Sequence, residues 1–322
     1  MELSVFFLRR FAHSVTLVAV LALTTFVLIG EAPGSYLDDL ATNPQVSQES
    51  LARMRAQFGL DRPFYEKFWR WARSVASGDF GYSFVYQRPI RQLIGERIVN
   101  TVMLNVLALI VAWSAGILVG LLAAASRGSW IDWIVGGVTT VLLATPGVVL
   151  ALVLLASGAT LGLPIGGLSS AGLESPAVSA WLVDLARHLV LPVIAVAAGW
   201  FPAIARHTRA ALLVALEAPY MLTARAKGVG RGRLLAVHAL REALNPLTSL
   251  FGPSVAALLS ASLLVEVVMG WPGIGQLTYD AVLRRDIFLV VDLVMLSAVL
   301  LLVGNIIGDL LLRRVDPRVA ER

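Results

Sequence analysis

The chain has 322 residues, 57% hydrophobic and 15% charged, with mean hydropathy +0.78; soluble domains hold roughly 45–50% apolar and about 25% charged residues, so the composition excludes a soluble globular protein and defines an integral membrane protein. It has no cysteine, which excludes a disulfide framework, a thiolate nucleophile and a Cys-ligated metal site. The pI near 10.0 comes with positive charge that flanks apolar segments, the pattern of bilayer orientation rather than of nucleic-acid binding.

Six segments are long and apolar enough to cross a hydrocarbon core, which takes about 20 residues of helix: 11–30, 101–125, 134–157, 189–205, 247–269 and 287–312. Arg9 and Arg10 precede the first. Its apolar run exceeds the roughly 7–15 residues of a signal peptide and no small-x-small site follows, so an uncleaved anchor is expected. Segment 31–100 carries nine basic and eight acidic residues between Glu31 and Arg97 and is expected to fold. Asp61 before Pro63 marks a helix start. Phe64, Phe68, Trp71 and Val75 recur on one face, giving an amphipathic helix lying in the membrane interface; its aromatics anchor it at headgroup level or meet a partner protein. Small residues and prolines make 158–187 an external loop.

Lysines and arginines in the short loops and ends divide fourteen to three, with Arg187, Arg284 and Arg285 as the minority. The chain is therefore expected to be multi-pass in the cell inner (plasma) membrane with both termini cytoplasmic. Seven of the fourteen fall in 206–246, against two glutamates, and this surplus equals the whole chain's net charge of +5. Within that loop Pro219 opens and Gly228 closes a short helix, Tyr220 to Lys227, about 12 Å long. A second helix is expected from about Arg231 to Leu244, with Leu234, Val237, Leu240 and Leu244 as the stripe that packs on the bundle. The order of parts is then 1–30, N-terminus and first span; 31–100, extracytoplasmic segment; 101–312, the core of spans two to six with loop 206–246; and 313–322, a cytoplasmic tail.

The strings TARAKG (223–228) and HALREALNP (238–246) resemble the cytoplasmic loop of ABC-importer permease subunits of the dipeptide, oligopeptide and nickel branch. FGLDRPFYEKFWRW (58–71), GDFGYSF (78–84), RPIRQLIGERIVNT (88–101), EVVMGWPGIGQL (266–277) and the terminal GD followed by VDPRV (308–309, 315–319) are similar to the same family in order and spacing. The general importer pattern opens Glu-Ala-Ala with a Gly four residues after the second Ala; here those places hold Leu222, Thr223, Ala224 and Gly228, a departure the peptide branch allows. His238, Leu240 and Arg241 stand where general importers favour Ile, Leu and Pro. The resemblance implies an all-α fold in which Tyr220, Thr223, Ala224, Arg225, Ala226, Lys227 and Gly228 form a coupling helix against a separate ATPase. It also implies a second homologous permease, two ABC ATPase subunits and an extracytoplasmic substrate-binding protein docking over 31–100, with no cofactor. The implied cargo is a di- or oligopeptide, with nickel or another small solute as the alternative. The residues fit: Ala224 and Gly228, one turn apart, allow close approach, while Arg225 and Lys227 meet carboxylates. The alternative is that these cations only orient the chain.

Polar residues inside spans are costly and informative. Asn105, Glu266 and Asn305 line the pathway or its gate, or else make interhelical hydrogen bonds. Asp292 is expected near the outer surface, and Asp309 pairs with Arg313 or reaches the interface. No Walker A, HExxH or GxSxG sequence occurs, so no catalytic residue is assigned and ATP hydrolysis is expected in partners. Glycines 228, 230 and 232 read as a flexible turn, and His13, His188, His207 and His238 are too scattered to ligate a metal. The rival class is an ion-gradient-driven secondary transporter, which needs a midplane carboxylate and usually an internal repeat that the sequence does not show.

Overall fold

The computed structural model describes residues 2–31, 41, 47–58, 61–170 and 177–315. The side chains of Asp309 and Arg313 and the VDPRV block beyond residue 315 lie outside the described residues, so the pairing expected of Asp309 does too. Among the described residues four helices are long and apolar enough to cross a membrane, Ile90–Ala125, Val178–Ala198, Phe251–Val268 and Ile287–Gly308, and a bent pair makes a fifth. A shorter apolar helix runs Ala12–Leu28. The chain divides into two compact units: residues 1–99 with 273–302, and residues 100–272 with 303–322.

The first unit opens with α1 (Glu2–Glu31) and continues through α2 (Gln48–Phe58) and α3 (Phe64–Ala76) to a hairpin of β1 (Tyr82–Ser83) and β2 (Arg88–Pro89). The strands are antiparallel, with Tyr82 opposite Pro89 and Ser83 opposite Arg88. The unit also takes in the first turns of α4 (Ile90–Ala125), whose 36 residues span about 54 Å, and, later in the chain, Ile274–Leu283 and the start of Ile287–Val315. Its core has two parts. Ile90, Leu93, Ile274, Leu277, Ala281, Leu289, Val290 and Leu293 form one, and Ala22, Phe26, Trp71 and Val291 the other.

Two sequence expectations change here. The aromatic stripe of α3 does not face lipid: Trp71 is buried, Phe68 and Val75 pack beside it, and the Phe26 ring lies 5.7 Å from those of Phe64 and Phe68 and 5.8 Å from that of Trp71. Asp292 is not at the surface but 1% exposed, with the Trp71 indole donating to its Oδ1 at 2.8 Å. The indole N–H finds its acceptor in Oδ1, while Oδ2 is buried without a hydrogen-bond partner among the described residues.

A second buried carboxylate holds the hairpin. Asp286 is fully buried; its Oδ2 accepts from the Ser83 hydroxyl at 2.6 Å and the Val85 N–H at 3.3 Å, and its Oδ1 from the Leu289 N–H at 3.4 Å, which caps the helix that follows. Burial raises its carboxyl above the usual range, and those hydrogen bonds oppose the rise. A raised acid contributes stability below its unfolded value that is lost as pH climbs through the raised one.

In the second unit α4 continues to Ala125 and is followed by α5 (Trp130–Ala144), α6 (Gly147–Thr160), α7 (Val178–Ala198) and α8 (Phe201–Leu216). Next come α9 (Pro219–Ala226), α10 (Arg231–Arg233), a π-helical stretch Leu234–Ala239, α11 (Leu240–Thr248) and α12 (Phe251–Val268). The remaining two helices, α13 (Ile274–Leu283) and α14 (Ile287–Val315), start in the first unit, and residues 303–315 of α14 belong to the second. The second unit's core collects Leu104, Ala108 and Ala112 of α4, Ala151 of α6, the buried face of α7, Ile204, Leu258, Val265 and Trp271.

The third expected span is broken. α5 and α6 meet at 109°, because Pro146 confines Thr145 to extended backbone, ψ 123°, and no helix continues through it. The fourth lies earlier than expected, at Val178–Ala198, and stops at Gly199 and Trp200 before Pro202 opens α8. The last ten residues of the expected external loop, 178–187, are therefore helix. Its polar residues are accommodated: Asp184 accepts from the Ser170 N–H at 2.8 Å and hydroxyl at 2.6 Å, and His188 Nδ1 lies 2.8 Å from the Asp184 carbonyl.

α14 and α12 approach at backbone distance. A Cβ on Gly308 would stand 2.8 Å from the Gly252 Cα and 3.0 Å from its nitrogen, so nothing larger than hydrogen fits.

Two outcomes follow from these contacts. Gly308→Ala should lower the thermal midpoint of the purified chain, because the clash is with backbone; Gly230→Ala, in open space, should leave it in place. Asp286→Asn keeps one of the two accepting oxygens and removes the titration, so melting at pH 5 and pH 8 should differ less in the variant than in the native chain, whatever the loss common to both pH values. Asp286→Ala should cost about 1–3 kcal/mol at both pH values by stranding the donors.

Candidate functional site

The basic loop builds a small, sharply ended helix. Pro219 stands in the first turn of α9, where a missing N–H costs nothing. At the other end Gly228 has φ +77°, its N–H bonds the Arg225 carbonyl at 2.9 Å, and the Val229 N–H reaches the Ala224 carbonyl at 3.2 Å. This is a Schellman ending, with the left-handed residue that glycine adopts without strain. A Cβ at Gly228 would meet nothing within 4 Å; the requirement is one of backbone conformation, not space.

One side chain seats the helix. Met221 is fully buried among Ala124, Leu212, Ala215, Leu234, Leu235, Ala239 and Ala243. Tyr220, Thr223, Arg225, Ala226, Lys227 and Gly228 are exposed and Ala224 is half-buried, so all seven expected residues stand together around a free face, with Leu222, 63% exposed, beside them. Burial raises the Tyr220 hydroxyl pKa, and the Glu242 carboxylate adds to the rise.

The helix after the turn is continuous from Arg231 to Thr248, but its middle is π-helical. The wider turn rotates the register. The buried residues are Leu234, Leu235, Ala239, Ala243 and Leu247, whereas Val237 and Leu244, expected in the stripe, are exposed.

Three polar links tie this loop to the helices before it. Arg209 on α8 grips Asp132 on α5 with Nε to Oδ1 at 2.6 Å and Nη2 to Oδ2 at 2.7 Å, a two-pronged pair more rigid than a single contact. Arg127 reaches Glu217 at 3.0 Å. Arg231 donates to the carbonyl of Ala125, the last residue of α4, at 2.9 Å, a cation at a helix C-terminus. Sequence reasoning missed Asp132 and Arg209 because 77 residues separate them; the one available signal was an acid at the mouth of an apolar span.

Of the intramembrane candidates, Asn105 and Glu266 come together and Asn305 does not join them. The Thr101 hydroxyl donates to Glu266 Oε1 at 2.7 Å, and Asn105 Nδ2 donates to Ser262 Oγ and to the Thr101 carbonyl, both at 2.9 Å. Glu266 is fully buried, Asn105 is 9% exposed, and the Asn105 Oδ1 has no hydrogen-bond partner among the described residues. Farther along, Trp113 Nε1 donates to Ser254 Oγ at 3.0 Å. Each four-residue step forward on α4 matches one backward on α12, the register of an antiparallel pair. Asn305 lies beside Gly252, fourteen residues or about 21 Å down α12 from Glu266. Among the described residues no group of His, Asp and Glu could hold a metal ion.

This is the architecture of a polytopic membrane protein, and the same fold occurs in solved structures of the MetNI methionine ABC transporter in inward-facing conformations. One matches with a TM-score of 0.56 over 70% of this chain and 97% of that one, at 20% identity. Residues 116–321 match the family of binding-protein-dependent transport system inner membrane components, and residues 3–105 match its N-terminal companion. The chain is 32% identical over 318 residues to the oligopeptide transport system permease AppB of Bacillus subtilis, covering 98% of this chain and 99% of that one. It is 32% identical to the dipeptide permease DppB of Escherichia coli K12, over 98% and 99% of the two chains. To the glutathione permease GsiC of Salmonella paratyphi A it is 30% identical, over 97% of each. The chain belongs to the binding-protein-dependent transport permease family and is a membrane-embedded translocation subunit.

The ladder makes a direct test. Glu266→Gln keeps the acceptor for Thr101, so assembly should stand; Glu266→Leu should destabilise by about 1–3 kcal/mol, read as a lower melting midpoint in detergent. Uptake altered in the Gln variant at normal assembly would show that the charge itself serves transport.

Proposed function

We propose that this chain is the permease of an ATP-driven, binding-protein-dependent importer for di- and oligopeptides, forming half of the pore with a second homologous permease. Two ABC ATPase subunits bind from the cytoplasm, and an extracytoplasmic binding protein docks over residues 31–100. In this reading the chain crosses the membrane six times with both termini cytoplasmic. ATP is hydrolysed on the partners, since the chain carries no phosphate-binding motif.

The observation that carries the reading is the short helix of loop 206–246: seated through Met221, closed by Gly228, and presenting Tyr220, Leu222, Thr223, Arg225 and Lys227 outward. A free face of this kind fits a cleft with carboxylates at its rim. The links Arg209–Asp132 and Arg231–Ala125 then pass its displacement to α5 and α4. Glu266 and Asn105 act at the other end of that path, holding α4 to α12 while the gate moves, and Asn305 serves as a separate polar station on the pathway. The peptide cargo is supported by three relatives named for oligopeptide, dipeptide and glutathione transport. Nickel or another small solute is the alternative cargo, decided by the binding protein. An ion-gradient-driven transporter would need none of these partners.

Gly228→Val should uncouple cargo-stimulated ATPase activity in the reconstituted complex while leaving insertion intact. Strain of order 1–3 kcal/mol at a left-handed β-branched residue corresponds to roughly a five- to hundredfold loss if the docked state bears it. Gly228→Asn, which tolerates that conformation, should retain most coupling. Normal coupling in the Val variant would remove the assignment. Topology is read separately: with no native cysteine, Gly230→Cys should be labelled only from the cytoplasm and Ser77→Cys only from outside.

A further inference from the structure

The helix α3 is aromatic on both faces, and only one face is explained by the core. Phe68, Trp71 and Val75 face inward, but Tyr65 and Trp69 are 65% and 70% exposed, one turn apart, and Arg73 follows a turn later on the same side. Neither Tyr65 nor Trp69 makes a hydrogen bond within the described residues, so a phenol and an indole donor are left for an outside acceptor. The helix carries Lys67, Arg70 and Arg73 against Glu66 alone, and Glu66 is paired with Arg62 at 3.3 Å. Arg70 and Arg73 thus flank the aromatic edge without an acidic partner among the described residues.

The depth of this edge follows from what the inner face touches. Phe26, which meets the Phe64, Phe68 and Trp71 rings, lies about one turn before Glu31, the charge at which the apolar stretch of α1 ends. The Trp71 indole meets Asp292, in the second turn of the membrane-crossing helix Ile287–Gly308. α3 therefore packs where two apolar helices both reach one boundary of the hydrocarbon. Below it the outer surface of α1 is apolar and exposed at Val20, Leu23 and Val27. Tryptophan and tyrosine with nearby cations are the residues that sit at such a boundary, the rings among the upper acyl carbons and the cations at the phosphates.

We propose that the Tyr65–Trp69 edge of α3 is a phospholipid-binding surface, seated at the headgroup–acyl boundary, with Arg70 and Arg73 on the lipid phosphates. Under the orientation argued above this is the outer leaflet. The surface fixes the level of the 31–100 segment on the membrane. A binding protein seated on the same edge is the competing occupant, and the test separates the two.

Trp69→Cys and, as a control beyond the helix, Asp79→Cys are each labelled with bimane in the full chain, reconstituted in phosphatidylcholine nanodiscs with or without lipid brominated near the carbonyl end of its chains. Bromolipid should quench the label at position 69 about twofold more than at position 79, and aqueous iodide should act in the reverse order. Quenching at position 69 by iodide and not by bromolipid overturns the proposal. So does protection of that label by added binding protein without bromolipid quenching, which would make the edge a protein-docking face. Tyr65→Cys provides a second site on the same edge and must give the bromolipid pattern too. The readout does not depend on ATPase coupling or on which leaflet faces out, so it fails independently of the proposed function.

Discussion

Three hydrogen bonds set the register of two long antiparallel helices in the larger unit, and much of its architecture hangs on them. Thr101 with Glu266, Asn105 with Ser262 and Trp113 with Ser254 are polar pairs in an apolar surround. Between helices that lipid solvates as well as they solvate each other, apolar packing alone defines sliding poorly, and a polar side chain without its partner costs free energy. A slip of one residue along either helix would break all three pairs together. Glycine supplies the complementary constraint on the far side of α12, where α14 comes within reach of the Gly252 backbone only because Gly308 lacks a side chain.

The same economy of polar groups explains how the smaller unit holds its outer segment. Asp292 and Asp286 are both buried carboxylates, and each takes its donor from the 61–100 stretch, Trp71 for one and Ser83 with Val85 for the other. The aromatic helix and the hairpin are thereby fastened to the start of one membrane helix by directional bonds. The second aromatic edge of α3 is left over, and a bilayer boundary is where such an edge belongs.

The functional loop combines a rigid support with a free face. Arg209–Asp132, Arg127–Glu217 and Arg231–Ala125 hold its flanks to neighbouring helices, and Met221 seats the short helix. The π-helical stretch Leu234–Ala239 then turns small and branched residues inward, so that alanines at 239 and 243 sit closely against α8 and α9. The loop and α5 are in this way tied directly to one another.

The amino-acid sequence determined the membrane class, most of the long apolar helices and the short helix between Pro219 and Gly228, because each rests on local chemistry: apolar length, an N-terminal proline, a left-handed glycine. The candidate coupling face was legible for the same reason. The break at Thr145–Pro146 was written there as well, in a proline that a hydropathy reading passes over. Only the tertiary structure decided which polar residues find partners. Small residues and prolines made 178–187 look like the end of a loop, yet it is helix, with Asp184 taking its donors from Ser170; Trp71 turned out to face Asp292 rather than lipid; Asp132 and Arg209 met across 77 residues; and a π turn reversed the exposure of Val237 and Leu244. Each of these depends on a contact between residues far apart in the chain or on a turn of unusual width, and neither leaves a periodic trace in the order of the amino acids.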